Sequence, residues 1–351
     1  MKYCINGKFL TERITGMQRY AIEMTNELDK ISAPGELSIV VPHSINNIPA
    51  YKNITIVKYG KLKGIPWEQL CLPIYLYKNK LIGIHMLANA PILKSGDVVV
   101  AHGVNNKVNP QFYKTTRDKI ARLWHNIVYH LYFRHSHLIF TDTEFSKSEI
   151  IRTYHVKEAY LHIVPCAWQH MDRVKSDESI FDRHPEIQKN GYYFSMSSVN
   201  ENKNFKWIAA VAVKNNDETF AIAGGRSLQQ YFDVNGIKKP NNLHFMGYVS
   251  DGEAKALMLN CKAFLFPTFY EGFGMPPIEA MSCGAQAIVS DTSTMHEVYG
   301  DTVHYINPYS SDVELGDILR KKTQPISETL KKYSWEESAK KFYYEVMNRK
   351  L

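Results

Sequence analysis

Short apolar runs alternate with longer amphipathic stretches along the whole chain, which is the pattern of parallel α/β layers. The runs predict strands over Lys2–Asn6, Leu37–Pro42, Val98–His102, Leu138–Thr141 and His162–Val164, and again over Tyr192–Met196, Thr219–Ala223, Leu243–Met246, Ala263–Phe266 and Ala287–Val289. Apolar positions at helical spacing predict helices over Met17–Leu28, Arg117–Arg134, Lys147–Thr153 and Gly252–Leu259. No period of about 20–50 residues repeats, so a solenoid is excluded. The polar, irregular stretch from about Ala167 to Gly191 has the composition of a domain edge. Two doubly wound, Rossmann-like domains are therefore expected, residues 1–170 and 171–333. The closing Ser334–Leu351 reads as a separate amphipathic helix, opened by Ser334 and Glu337 at capping-box spacing.

Composition narrows the class. With 351 residues, 44% hydrophobic and 22% charged, the chain is long enough for two ordinary domains and is neither fibrous nor disordered. No uncharged apolar stretch approaches the ~18–20 residues of a membrane span. The richest, Leu81 to Leu93, is interrupted by His85, Asn89 and Pro91. The N-terminus lacks the apolar core of a secretory signal. Cys4, Cys71, Cys166, Cys261 and Cys283 lie at scattered spacings without a C-x-x-C pair, so neither a disulfide framework nor a zinc site is expected. His125, His130, His135 and His137 do not share one helical face, which argues against a metal there too. A reduced, cytoplasmic compartment is the expectation. Charge is uneven: residues 1–170 hold 21 Lys+Arg against 12 Asp+Glu, whereas residues 171–351 hold 21 against 23. A basic half and a nearly neutral half suggest different partners.

The richest chemistry lies in Ala263–Met281, AFLFPTFYEGFGMPPIEAM. A strand ends near Phe266, a turn carries Gly272 and Gly274, and Pro276–Pro277 suit the first turn of a helix. Glycines let backbone N–H groups approach a ligand, and a helix start favours anions. Glu271 and Glu279, eight residues apart, would flank that start and accept hydrogen bonds from hydroxyls.

This segment resembles the signature of retaining glycosyltransferases of family 4, which have the GT-B fold. Further blocks resemble the mannosyltransferase B-like branch in the same order: Thr15–Tyr20, Trp67–Leu70, Val100–His102, Thr143–Lys147, Ile163–Pro165, Asn202–Asn204, Ala223–Arg226, Gly247–Asp251 and Tyr333–Glu336. The resemblance implies two Rossmann-like domains facing a cleft, with the final helix crossing back to the N-terminal domain. It implies that Glu271, Lys203 and His102 serve the reaction: Glu271 on the donor sugar, Lys203 on the leaving diphosphate and His102 over the transferred sugar. Gly16, Ser198, Lys203, Val249, Phe273, Gly274, Met275 and Glu279 would contact the donor, with Glu279 on the ribose. Arg19 and Arg226 would meet phosphate or acceptor. Many members carry an Arg shortly before the lysine where this chain has Ser197-Ser198, which removes one expected cation.

The implied reaction is metal-independent and cofactor-free. It moves a hexose from a nucleotide-diphosphate sugar to a lipid-diphosphate-linked glycan in O-antigen or capsule synthesis. Branch resemblance favours GDP-mannose; dTDP-rhamnose and UDP-sugars stay open. The basic first half, with lysines and arginines interleaved with Trp67, Tyr75, Tyr77, Tyr113 and Trp124, suits an anionic membrane surface on the inner face of the cell membrane. The alternatives are a catalytically silent sugar-nucleotide-binding subunit and, less favoured, a nucleic-acid-binding protein; within the enzyme class an epimerase is the weaker reading. Nucleic acid is not an expected partner, because the charge is diffuse and no nucleic-acid module is present.

Overall fold

The computed structural model describes residues 2–87, 89–94, 97–198 and 200–348, and in one helix the backbone but not the side chains of residues 226, 227, 229, 234 and 235. The chain divides into two compact units, Met1–Cys166 with Ser334–Leu351, and Ala167–Tyr333.

The first unit is built on β1 (Tyr3–Asn6), β2 (Leu37–Val41), β3 (Thr55–Lys58), β4 (Ile82–His85), β5 (Val98–Val100), β6 (Leu138–Thr141) and β7 (Leu161–Ile163). They form one parallel sheet in the order β3-β2-β1-β4-β5-β6-β7. β1, β2, β5 and β6 are buried at every position, as parallel strands covered on both faces must be. The helix Thr116–His135 covers one face with Tyr129, Tyr132 and Phe133, which pack on Val99 and Ile139. The helices Gly16–Ile31 and Trp335–Asn348 pack together, with Tyr20 edge-on to Trp335. The C-terminal helix is further tied by Tyr3 Oη donating to the Val346 carbonyl at 2.8 Å and Ser338 Oγ to that of Pro165 at 2.8 Å.

The second unit holds β8 (Tyr192–Met196), β9 (Thr219–Ala223), β10 (Leu243–Gly247), β11 (Ala263–Phe266), β12 (Gln286–Ser290) and β13 (His304–Ile306), parallel and ordered β10-β9-β8-β11-β12-β13. The two-way winding expected from the alternating pattern is present in both units. Three strands carry no clear sequence signal. β3 is an exposed edge, β4 lies inside the interrupted Leu81–Leu93 run, and β13 has only three residues.

Each sheet has one place where strand order reverses, between β1 and β4 and between β8 and β11. The loops leaving the carboxyl ends of those strands turn opposite ways and leave a crevice, the usual ligand position in open α/β sheets.

Candidate functional site

In the second unit the reversal point collects most of the predicted residues. β8 leads through Ser197 and Ser198 to a short turn, Glu201–Lys203, started by Asn200, whose Oδ1 accepts from the Asn202 N–H at 3.0 Å. Asn204 follows in the left-handed region, which asparagine tolerates. β11 leads into the Pro267–Gly274 loop. The two loops are stitched together: Phe269 N–H donates to the Asn202 carbonyl at 2.9 Å, Asn202 Nδ2 to that of Tyr270 at 2.7 Å, and Asn204 Nδ2 to that of Pro267 at 3.0 Å. This framework sets Lys203 Nζ 2.8 Å from Glu271 Oε1, with the ammonium also 5.4 Å from the centre of the Phe266 ring. Lys203 is 34% exposed and Glu271 16%. A pair this open to solvent is worth only about 0–1 kcal/mol, so an incoming ligand can break it cheaply.

The helix Met275–Ser282 starts from Gly274, whose φ of +86° is left-handed. A Cβ there would lie 2.8 Å from Met295 Cε, so both conformation and space require glycine. Of the four amide positions that a helix start leaves without an internal partner, Pro276 and Pro277 have no hydrogen to give. The N–H groups left to donate at this helix start are those of Gly274 and Met275. Glu279, on the same helix, lies 3.0 Å from Nε2 of the buried His170, which fixes the direction of the carboxylate.

The side chains of Val249, Phe273 and Met275 are buried. Phe273 stands edge-on to Tyr333 at 5.0 Å between ring centres, so its ring is a packing element. Ser198 Oγ accepts from Asn200 N–H at 3.3 Å and shapes its own loop. Arg226 opens the helix Arg226–Asn235 beside Gly224 and Gly225, but its side chain lies outside the described residues. Gly224 approaches β8 closely, since a Cβ there would meet the Ser197 carbonyl oxygen at 2.4 Å. Ser197 Oγ, Asn202 Oδ1, Thr268 Oγ1 and Thr294 Oγ1 are buried without a hydrogen-bond partner. All four sit on loops at the carboxyl edge of this sheet, where a polar ligand can use them.

In the first unit, Gly16 is the first residue of its helix, and the preceding loop is exposed. Thr15 and Gln18 form a capping box, and Gln18 Nε2 donates to Glu12 at 2.8 Å. Arg19 lies 3.8 Å from the buried Glu23 one turn on. His102 follows β5, with Nδ1 2.9 Å from Asp142 Oδ2 and Nε2 3.1 Å from the Met86 carbonyl oxygen. Burial alone would lower its pKa. The Asp142 charge and hydrogen bond, helped by Met86, more than offset that, and the pKa ends above the ordinary histidine value.

Beneath this edge lies a buried cluster that sequence reasoning missed. Lys8 Nζ is 3.0 Å from Glu68 Oε2, and Asn6 Nδ2 donates to Glu68 Oε1 at 3.0 Å. A π turn over Trp67–Cys71 faces both Trp67 and Glu68 inward. Trp67 is a core residue, donating Nε1–H to the Tyr59 carbonyl at 2.7 Å. It is therefore not part of a surface aromatic belt. Tyr77 is exposed, together with the aliphatic Leu70, Ile74, Leu93, Ile120, Leu123 and Ile127. Asp142 and His170 were missed as well; each lies next to or far from a motif without a spacing that marks it.

Residues 176–321 match the family described as glycosyl transferases group 1. Over 94% of its length the chain is 25% identical to O-antigen chain mannosyltransferase B of Escherichia coli, 92% of which is covered. It is 23% identical to O-antigen chain mannosyltransferase RfbU of Salmonella typhimurium, covering 87% of this chain and 86% of that one. Among solved structures, sucrose-phosphate synthase from Thermosynechococcus elongatus superimposes with a TM-score of 0.72 at 12% identity, over 98% of both chains, which speaks for the fold alone.

Proposed function

We propose that this chain, of which residues 176–321 match the glycosyl transferases group 1 family, is a retaining glycosyltransferase moving mannose from GDP-mannose to a lipid-linked glycan of a bacterial surface polysaccharide. The observation that carries this reading is the Lys203–Glu271 pair at the strand reversal of the second sheet. A cation and a carboxylate side by side at a ligand-binding edge match the two halves of a sugar diphosphate. The choice of mannose rests on similarity to two full-length relatives named mannosyltransferases.

In this mechanism the second unit holds the donor and the first takes the acceptor. Lys203 and the amides of Gly274 and Met275 neutralise the diphosphate, Glu271 accepts from a sugar hydroxyl, and Glu279, held by His170, accepts from the ribose. The bond from the anomeric carbon to the phosphate oxygen breaks, and the acceptor oxygen bonds to the same face of that carbon. The acceptor's proton passes to the departing phosphate. Charge that develops on the diphosphate meets fixed cationic and amide donors, which stabilises the transition state over the ground state. No metal is required.

The acceptor side also supports contact with an anionic bilayer. The helical segment ending at Lys78 exposes Leu70, Ile74 and Tyr77, and Tyr77 Oη donates to the Leu93 carbonyl at 2.5 Å. The turn Ile92–Lys94 packs on the helix Thr116–His135, which exposes Ile120, Leu123 and Ile127 beside Arg117 and Lys119. An apolar stripe rimmed by cations fits the lipid interface. Among the described residues no helix is long and apolar enough to cross a membrane.

The test is a thermal-shift comparison of GDP-mannose, dTDP-rhamnose and UDP-glucose, each with and without EDTA, followed by transfer and determination of the product's anomeric configuration. GDP-mannose at about 100 times its Kd should stabilise the protein by about 2.7 kcal/mol, with or without chelator. Selective stabilisation by another donor would overturn the choice of mannose. An inverted product would overturn the retaining mechanism.

A further inference from the structure

Outside the donor loops, both ring nitrogens of His102 face groups that accept. Nε2 is 3.1 Å from the Met86 carbonyl oxygen, which can never donate, so Nε2 carries a hydrogen. Nδ1 is 2.9 and 3.1 Å from the two oxygens of Asp142, a residue only 2% exposed. A neutral ring would then turn a bare lone pair onto a buried carboxylate. A proton on each nitrogen removes that conflict and makes both contacts hydrogen bonds. We infer that Asp142 is a positioning residue that keeps His102 an imidazolium, so that β5 ends in a fixed cation and not in a general base.

The surroundings agree. The Tyr20 ring, from the helix Gly16–Ile31, stands edge-on to the imidazole at 4.8 Å, and its hydroxyl stays neutral because burial pushes its pKa well above 10. Cys166, following β7, puts Sγ 3.7 Å from Asp142 Oδ1. Among the described residues, Asp142, Tyr20 and Cys166 are titratable groups that face this pair, and Asp142 supplies the charge that offsets burial of the ring. A carboxylate behind a histidine has the outline of a base dyad. Here the far nitrogen is already a donor to a main-chain carbonyl and has no lone pair to receive a proton.

This inference rests on the proposed function only in placing His102 at the reaction. As an imidazolium it offers a fixed positive charge to an anionic substrate group and has no lone pair with which to take the acceptor's proton. Turnover should then fall as pH rises through the His102 pKa, whereas a histidine base would make turnover rise there.

The experiment combines two readouts on the full chain. His102 is titrated by NMR with ring-labelled histidine, its signal assigned by loss in His102→Gln. GDP-mannose turnover is followed over the same pH range. For the wild type the midpoint should lie above about 6.5, and in Asp142→Asn it should drop by about 1–3 units, the shift expected from losing an adjacent opposite charge. The descending limb of kcat/KM should move down by the same amount, and Asp142→Glu should restore it. A merely structural role would lower the rate at every pH without moving the limb. A wild-type midpoint at or below about 6.5 overturns the charge assignment without any variant, so a misfolded Asp142→Asn protein cannot obscure the result. A raised midpoint with a flat or rising rate profile overturns the role in transfer. Neither result touches the glycosyltransferase reading, which product formation tests separately.

Discussion

Lys203 and Glu271 satisfy each other at 2.8 Å, and that pairing has a consequence for binding. In the proposed mechanism a diphosphate must compete with Glu271 for the ammonium, so the carboxylate assigned to the sugar would weaken the grip on the phosphates. Glu271→Gln should leave GDP binding by calorimetry unchanged or tighter while transfer falls by about 10²-fold or more. Lys203→Ala should weaken GDP and slow transfer together. A Glu271→Gln protein that loses both would show that the carboxylate supports the loop and not the sugar. His102 adds a stability term at this scale. Its folded pKa is raised, so the pair's contribution is fully present below the ordinary histidine pKa and is lost as pH rises through the folded value. The stability gap between wild type and Asp142→Asn should therefore narrow with rising pH, measured by urea unfolding. These residues were unequally legible. Lys203, Glu271 and Glu279 stand in motifs, whereas Asp142 and His170 carry their roles only through the side chains they touch.

Elements decide how such residues are presented. The Met275–Ser282 helix can start only because Gly274 adopts φ +86° against Met295 and Phe266. Gly274→Ala combines a left-handed strain of about 1 kcal/mol with a steric shift, and should lower Tm by at least about 2–4 °C, read by calorimetry. Donor affinity should fall as well, since Gly274 and Met275 carry the amides that remain beside two prolines. The exposed face of Thr116–His135 makes the opposite prediction. Ile120 and Leu123 are 65% and 61% exposed, so Ile120→Asp with Leu123→Asp should change stability by no more than about 0.5 kcal/mol per site. The same pair should abolish flotation with anionic vesicles at low salt. Retained flotation would remove this face from the membrane proposal. The helix was legible from its periodicity, but its apolar stripe reads in sequence like any core-facing stripe. Trp67 misled in the other direction: a tryptophan among lysines reads as an interfacial anchor, yet a π turn directs it into the core.

At the scale of the whole molecule, two sheets repeat one design in which a strand reversal gathers polar side chains at the carboxyl edge. In the first unit the reversal is held by Lys8 and Glu68, both almost fully buried. Removing one partner strands a charge in the interior, so Glu68→Ala should cost about 3–5 kcal/mol, with hydrogen exchange rising in the first sheet and not the second. Equal loosening of both sheets would contradict the division into units. The sequence by itself determined the parallel α/β class, most strands and helices, and the residues of the Ala263–Met281 turn. All of these follow from local periodicity, apolar runs and turn chemistry. Only the tertiary structure decided the pairings: His102 with Asp142 across 40 residues, Lys8 with Glu68 across 60, Lys203 with Glu271 across 68 and His170 with Glu279 across 109. The reason is that partners meet where strand ends become neighbours. Strand order is set by how the whole sheet buries its two faces, and no local spacing in one sequence records it.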